Sequence, residues 1–460
     1  MKRNIKLLAL LFAWTAVLST SAQELRSSYF METSVFRHQM NPALLENSHF
    51  SLLFGNVNVG TTGNLGAKNF VFDLPGNPNY KYTTFMNPIV SADEFLNKLD
   101  KHNRVDAYVN YNLLSVGFNA FGGTNLLEAN LRSNTNVSLP YELFEFAKST
   151  GAREEYDLSN IGIRTQNYIE FALGHAHDIN KKIRVGAKVK FLLGAAYADF
   201  SANRLGVTLS QDKWRIQTDA HLKAALLKSK VTHDTSKPTS NGRPVVDGID
   251  DISFGIPGFG AAVDLGVTYK VTKDLTLSAG ITDLGVIKWK DAMQASTSGD
   301  YTFEGFENIK VGENGTGNDI GDEFEQIGED LEEMFQVYDD GNADAKGRLA
   351  ATINVGAQYA LPVYDKLRFG LLYTGRLDGM YSWHQAMLSA NIRPVKWFEF
   401  TANCAYSNTG FTYGGAFSFK TKGFNLYLGA DRFVSRLSKD FIPLNHTNSN
   451  INLGIAFPLH

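Results

Sequence analysis

The two side chains best spaced to bind a metal ion together are His175 and His177, which lie two positions apart in the chain. On a strand this spacing places both imidazoles on one face of the sheet. A protein metal site uses three or four ligands, and the sequence supplies no third ligand near this pair. We therefore predict solvated side chains close to a turn, and the sequence indicates no bound metal and no cofactor.

Glycine-rich and nucleophile motifs are the next candidates for chemistry. Residues 255–260 read Gly-Ile-Pro-Gly-Phe-Gly, which is similar to a dinucleotide-binding loop, but they do not follow a strand and open a helix. They are predicted to lead into a strand instead. The sequence contains no P-loop and no Gly-x-Ser-x-Gly elbow, and no Ser-His-Asp arrangement can be placed. We predict that the protein is not an enzyme; an outer-membrane protease or phospholipase with dispersed catalytic residues is the alternative.

The N-terminal residues have the features of a secretory signal peptide. Lys2, Arg3 and Lys6 precede an apolar run at 7–18, and small residues at 20–22 end the segment. The apolar run is shorter than the roughly 20 residues that a helix needs to cross a bilayer. We predict a signal peptide at 1–22, cleaved after Ala22.

Charge and cysteine content exclude two classes of protein. Removing residues 1–22 takes away three positive charges and no negative ones, so the formal net charge changes from −3 to about −6. A nucleic-acid-binding protein would need a basic face, so no nucleic-acid partner is predicted. Cys404 is the only cysteine, which excludes an intrachain disulfide.

The strongest structural signal is alternation with a period of two, which is typical of strands. From Ile183 to Leu193, apolar side chains occupy every second position, and Arg184, Gly186, Lys188 and Lys190 lie between them. The ranges 261–270, 351–359, 367–373, 398–406, 424–430 and 451–457 repeat the pattern. Each is about ten residues long, the length of a tilted strand that crosses an outer membrane.

Loop lengths separate a membrane barrel from a soluble sandwich. Fourteen strands are predicted, and short and long connections alternate between them, with one short exception at 408–410. Tight turns on one side and long loops on the other are typical of an outer-membrane barrel. The fold class is therefore all-β: a transmembrane antiparallel β-barrel of about 14 strands over residues 50–460. The predicted strands are 50–60, 107–121, 124–137, 160–178, 183–200, 259–271, 275–290, 348–360, 366–376, 384–393, 396–407, 411–419, 424–433 and 450–458.

Some of the long loops are predicted to contain structure of their own. Residues 201–227 indicate a hairpin that turns at 210–212 and projects beyond the membrane. Ser91 and Glu94 form a capping box that opens a short helix, and Pro140 opens a second helix that stops near Gly151.

The most distinctive loop is the acidic insert at 291–347. Its apolar residues repeat at helical spacing among many Asp and Glu residues, which predicts an acidic amphipathic helix. This helix is expected to be a lid on a loop or on the barrel mouth, or to dock a protein partner. Calcium binding is a third interpretation, because 339–342 and 312–314 resemble calcium loops, although they lack the required acidic spacing and distal Glu. The apolar stripe is Ile320, Phe324, Ile327, Leu331, Met334 and Phe335.

A barrel of this width needs side chains or a plug to fill it. The segment 23–49 ahead of the first strand is predicted to be that plug. The lumen face of the strands is predicted to carry six charged residues: Arg184, Lys188, Lys190, Asp264, Arg368 and Glu399.

Several short motifs resemble known outer-membrane families. Asn41, Pro42, Ala43 and Leu44 resemble the N-P-A signature near the N-terminus of the long-chain fatty-acid transporter superfamily and of accessory barrels of type IX secretion. In that superfamily the signature belongs to an N-terminal plug, so the resemblance implies that these four are plug residues here, and fourteen strands match its implied fold.

A closer resemblance is to an uncharacterised family of Bacteroidota outer-membrane proteins, domain of unknown function 5723. It spans most of the mature chain and involves Arg37, 138–140, 193–196, 282–285 and Trp289. One departure concerns the C-terminus, which ends in His460, whereas many outer-membrane barrels end on an aromatic residue.

Three functions are compatible with the sequence. The first is a conduit for hydrophobic or amphipathic small molecules, which predicts apolar density inside the barrel or a lateral opening near a kinked strand. The second is a protein-interaction barrel for secretion or surface-protein attachment, with its partner at 291–347. The third is a structural or adhesive barrel. Outer-membrane lipid is an expected partner in every case.

Overall fold

The computed structural model describes residues 25–46, 48–53, 55–74, 76, 82–210, 213–226, 230–237, 239–250, 255–303, 337–432 and 449–459. The predicted signal peptide at 1–22 and the apolar stripe from Ile320 to Phe335 lie outside the described residues.

Fourteen antiparallel strands form a closed barrel. Each strand pairs with its neighbour in sequence, and β14 pairs with both pieces of β1 to close the sheet. We number them in chain order: β1 in two pieces (His49–Leu52 and Asn56–Gly63), β2 (His102–Ala120), β3 (Gly123–Pro140), β4 (Ile161–Asp178), β5 (Ile183–Leu209), β6 (Gly258–Lys270), β7 (Leu275–Phe303), β8 (Ala351–Ala360), β9 (Leu367–Leu377), β10 (Trp383–Val395), β11 (Phe398–Ser407), β12 (Gly410–Lys420), β13 (Asn425–Ala430) and β14 (Ser449–Pro458).

The predicted alternation between the two faces of the sheet is confirmed. On β5, Val189 and Phe191 are 48% and 55% exposed, whereas Lys188 and Lys190 are buried. Other strands likewise turn large apolar side chains outwards, and aromatic rings such as Trp397 lie beside the short turns. An outward apolar band edged by aromatic residues is the surface of a membrane β-barrel.

The connections at the opposite end contain short helices. They are α1 (Ala67–Phe70), α2 (Ala92–Leu96) and α3 (Tyr141–Ser149). Ser91 Oγ accepts a hydrogen bond from Glu94 N at 3.1 Å, so the predicted cap of α2 is confirmed. Pro140 directly precedes α3, as predicted. Within the described ranges, no helix is long and apolar enough to cross a bilayer.

The far ends of β5 and β7 continue beyond the membrane into a projecting sheet, and further strands pair with them there. The strand Trp214–Leu226 pairs with the far ends of β5 and β7, so the predicted hairpin at 201–227 is confirmed. A further strand, Tyr338–Arg348, pairs with the other edge of β7. The prediction of a loop over 291–347 is therefore wrong at both ends, because residues 291–303 and 338–347 belong to strands. These ends lie beyond the membrane and need no outward apolar side chains, so they lack the alternation that marks a membrane strand.

The strand predicted at 50–60 is interrupted. Leu53 has a φ of +60°, a left-handed conformation that is uncommon for a residue with a branched side chain. Leu53 N still donates to Leu113 O at 2.8 Å. The register of β2 against β3 shifts beside this contact, between Asn112 and Leu114. The barrel wall is thus irregular at this height on two neighbouring strands.

Candidate functional site

The N-terminal segment (Leu25–Glu46) lies inside the lumen of the barrel. It consists of three short 3₁₀ helices, Arg26–Ser28, Val35–Gln39 and Pro42–Leu44, joined by turns. Most of its residues are buried, including charged ones such as Arg37 at 4% exposure. The position of this segment agrees with the predicted range 23–49, while its role as a plug remains a prediction.

The N-P-A turn of the segment rests on three glycines from adjacent strands. Gly186 on β5 is opposite Gly266 on β6, and Gly266 is opposite Gly280 on β7. We call these three residues the glycine seat. A Cβ atom at Gly186 would overlap the backbone of Pro42, and one at Gly266 would overlap Asn41 Oδ1. The absence of side chains therefore lets the segment approach the barrel wall closely.

Hydrogen bonds fix the same turn to the wall. Asn41 Nδ2 donates to Ala279 O at 3.2 Å, and Asn41 Oδ1 accepts from Ala43 N at 3.0 Å. Arg184, a predicted lumen residue, donates to Ala43 O at 3.2 Å and to Leu45 O at 2.6 Å. Carbonyl groups that a 3₁₀ turn leaves unpaired are thus satisfied by the barrel.

Two other predicted lumen residues contact the segment on the opposite wall. Glu399 Oε2 accepts from Thr33 N at 2.9 Å and from Thr33 Oγ1 at 2.7 Å, and Glu399 Oε1 accepts from Glu32 N at 3.3 Å. Arg368 forms an ion pair with the Glu32 side chain. Polar side chains on strands at both sides of the lumen therefore bind the segment.

Replacing Glu399 with alanine is expected to loosen the segment near Thr33. The substitution leaves a buried N–H group without its acceptor, which costs about 1–3 kcal/mol. Hydrogen exchange at the amides of Glu32 and Thr33 should accelerate in the variant. Glu142→Ala, in the first turn of α3 outside the barrel, is the control. Equal exchange in both variants would contradict this role of Glu399.

The remaining predicted residues belong to a buried charge cluster beside the segment. Lys190 Nζ lies 2.7 Å from Asp283 Oδ1, 2.9 Å from Asp264 Oδ2 and 3.4 Å from Glu170 Oε2. Lys188 Nζ lies 3.2 Å from Glu128 Oε2. The structure thus places Lys188, Lys190 and Asp264 together, and places Arg184, Arg368 and Glu399 around the segment.

Sequence reasoning missed three acidic members of this cluster. Glu128 and Glu170 each lie between outward-facing residues on strands β3 and β4, so alternation could have identified them. Asp283 could not be found in this way, because it lies at a bulge. There the pairing of β6 with β7 shifts between Val263 and Leu265, and Asp283 N donates to Asp264 Oδ1 at 2.8 Å.

A polar cavity lies in the lumen on the far side of the segment from the short turns. Arg26, Gln39 and Met40 of the segment form part of its lining, and strands β2–β4 and β7–β10 with the adjoining loops supply the rest. Asparagine, threonine and arginine side chains predominate. The cavity is therefore polar. It does not provide the apolar interior that the hydrophobic conduit predicts.

An apolar cluster, here called the outer cap, covers the end of β2 and β3 outside the membrane. It contains Phe95, which is fully buried, stacked on Phe85 with ring centroids 4.2 Å apart. Phe144 of α3 packs edge-on against Phe95. Leu139 joins the cap on the same strand that carries cavity residue Asn136. The cap and the cavity are therefore neighbours along β3.

The histidine pair lies where β4 meets a short turn. His175 Nε2 is 3.1 Å from His177 Nδ1, and His175 Nδ1 is 2.9 Å from Asn125 Oδ1. Both nitrogens of His175 thus have protein partners. In the part of the chain that the structure describes, no group of three or more His, Cys, Asp or Glu residues is arranged to hold a metal ion.

Solved structures that resemble this chain include two toluene transporters and a FadL homologue. The toluene transporter TbuX of Ralstonia pickettii is 11% identical with a TM-score of 0.41, covering 92% of this chain and 93% of that one. The toluene transporter TodX of P. putida is 10% identical with a TM-score of 0.40, covering 96% of each chain. A FadL homologue of Pseudomonas aeruginosa is 10% identical with a TM-score of 0.39, covering 96% of this chain and all of that one (100%).

Sequence comparison is more specific. No curated protein sequence matches the chain. A family model described as a family of unknown function, DUF5723, matches residues 42–431. The matched range includes most of the N-P-A turn, the charge cluster and the barrel strands from β1 to β13. It extends over far more than half of the sequence, so the chain belongs to the DUF5723 family.

Proposed function

We propose that the protein is an outer-membrane conduit for amphipathic small molecules. The observation that carries the proposal is the arrangement of a polar lumen cavity beside an apolar outer cap. An amphipathic molecule has one part suited to each environment, whereas a hydrocarbon would leave the polar lining of the cavity without hydrogen-bonding partners. The interruption between the two pieces of β1, which end at Leu52 and begin at Asn56, supports the proposal as a candidate lateral exit.

In this proposal the N-terminal segment acts as a plug that keeps the lumen closed below the cavity. Its support is the set of contacts from Arg184, Glu399 and the glycine seat. A molecule that entered past the outer cap would contact the segment. It would then leave through the barrel wall, or pass through the lumen after the segment moved.

Native mass spectrometry with lipid extraction tests the proposal, on protein purified in mild detergent from its own membrane. We expect an amphipathic molecule to co-purify in near-stoichiometric amount. Phe95→Ala should lower its occupancy several-fold, because losing a buried phenylalanine costs about 3–5 kcal/mol and disrupts the cap. Phe411→Ala, at a 65% exposed position on β12, is the control.

A protein-interaction barrel is the second candidate. The projecting sheet favours it, because the strand Tyr338–Arg348 exposes a run of charged and small side chains beyond the membrane. The same mass spectra distinguish the two functions. A stable protein partner without a small molecule would contradict the conduit and would favour docking at this sheet.

A further inference from the structure

The lumen cavity carries more positive than negative groups. Four guanidinium groups line it, those of Arg26, Arg132, Arg164 and Arg376, against the two carboxylates of Asp283 and Asp378. Arg132 is compensated from behind the lining, because its Nε lies 3.4 Å from Glu170 Oε2. The barrel wall excludes most of the solvent, so the effective dielectric constant around the cavity is lower than in water. Uncompensated positive charge therefore attracts an anion more strongly there.

Both lining carboxylates are already engaged by cations. Asp283 is bound by Lys190 at 2.7 Å, and Asp378 forms an ion pair with Arg164. Asp378 Oδ2 is also 3.8 Å from Arg376 Nη2, which is too long for a hydrogen bond. No acidic group of the cavity lining is therefore left to neutralise Arg376 fully.

The cations near Arg26 share a neutral oxygen and have a carboxylate beside them. Gln385 Oε1 accepts from Arg26 Nη1 at 3.2 Å and from Arg432 Nη2 at 3.1 Å. The guanidinium of Arg26 also lies 4.4 Å from the centroid of the Trp383 ring. The carboxylate of Asp431, whose Oδ2 accepts a hydrogen bond from Arg26 N at 2.7 Å, compensates part of this charge. The least compensated charge of the lining is therefore that of Arg376.

Three buried donors of the lining have no acceptor within the described ranges. They are Arg376 Nε, Gln166 Nε2 and Trp383 Nε1. Gln166 and Trp383 are more than nine-tenths buried, at 6% and 2% exposure. An unmade hydrogen bond of a buried donor costs about 1–3 kcal/mol, so these three donors favour a ligand that offers acceptor atoms.

We propose that this cavity binds an oxyanion, a carboxylate or phosphate group, at Arg376, with Gln166 and Trp383 as further donors. An oxyanion supplies acceptors and negative charge together, and charge-assisted bonds to guanidinium groups are the strongest of the available hydrogen bonds. The inference deepens the proposed conduit, on which it rests for the way the ligand reaches the lumen, by naming the polar group of the molecule. The oxyanion belongs either to a small hydrophilic solute or to the head of an amphiphile.

Equilibrium dialysis of the detergent-purified mature protein against inorganic phosphate, decanoate and uncharged decanol tests the site, with empty micelles as the blank. We expect saturable binding of the anions that weakens about tenfold or more in Arg376→Gln, because the substitution removes one charge at the ligand. Arg215→Gln is the matched control, since Arg215 is exposed on the projecting sheet. Heat-dependent migration on gels and circular dichroism verify that both variants fold.

The three probes separate the sources of the oxyanion. Binding of decanoate, with or without phosphate, supports the site and an amphiphile as its ligand. Binding of phosphate alone supports the site and contradicts the amphipathic conduit. No anion binding by the unmodified protein, or anion binding equal in Arg376→Gln and Arg215→Gln, overturns the inference, and so does decanol binding as tight as that of decanoate.

Discussion

Replacing Lys190 with methionine is expected to destabilise the barrel by about 3–5 kcal/mol, because the change leaves buried carboxylates without their cation. The ammonium group of Lys190 lies within 3.4 Å of Glu170, Asp264 and Asp283. The Lys190 side chain is 2% exposed, and those of Glu170 and Asp264 are fully buried. The measurement is urea-induced unfolding in detergent or lipid.

A matched control is the exposed ion pair of the projecting sheet. Arg215 Nη2 lies 2.8 Å from Asp300 Oδ2, and both side chains are more than half exposed. Arg215→Met should change the free energy of unfolding by less than about 1 kcal/mol. The double variant Lys190→Met/Asp283→Asn should regain part of the loss, since it removes one unpaired carboxylate. Equal effects of the two single methionine variants would show that the cluster does not stabilise the lumen.

Replacing Gly186 with alanine is expected to displace the N-terminal segment from the barrel. The added Cβ would overlap the backbone of Pro42, which cannot rotate away as a flexible side chain could. Overpacking of this kind costs about 1–3 kcal/mol, and the neighbouring Gly266 and Gly280 are already in close contact with Asn41. A fourteen-stranded barrel whose lumen no longer holds this segment should conduct ions.

Planar bilayers and trypsin digestion measure this displacement. The variant should show a stable ion conductance that the unmodified protein lacks, and cleavage after the buried Arg37 should accelerate. Gly206→Ala is the control, because Gly206 lies on the same strand with no atom within 4 Å of the position of an added Cβ. If both variants were equally closed and equally resistant to trypsin, the glycine seat would not position the segment.

The candidate site was only partly predictable. Alternation on β5 predicted that Lys188 and Lys190 face the lumen, since their neighbours Val189 and Phe191 are apolar and suited to lipid. It did not predict which carboxylates they bind, because the partners lie on other strands, such as Glu128 for Lys188, 60 positions away, and Asp283 for Lys190, 93 positions away. The cavity arginines were missed for the same reason: Arg26 and Arg376 are 350 positions apart in the chain.

The sequence by itself determined the barrel. A period of two, about ten residues per membrane strand and tight turns that alternate with long loops leave a closed antiparallel sheet as the structure that satisfies every backbone group in lipid. It also determined which residues face the lumen wherever the alternation is regular, since each strand places successive side chains on opposite faces.

Only the tertiary structure decided where the alternation breaks and what fills the lumen. Asp283 turns towards Lys190 because a bulge opposite Asp264 adds one residue to β7, and a bulge depends on the pairing of two strands. The path of the segment 25–46 depends on glycines that become neighbours only after the barrel closes. Local sequence patterns carry no information about such contacts, because their energy comes from surfaces that meet across the lumen.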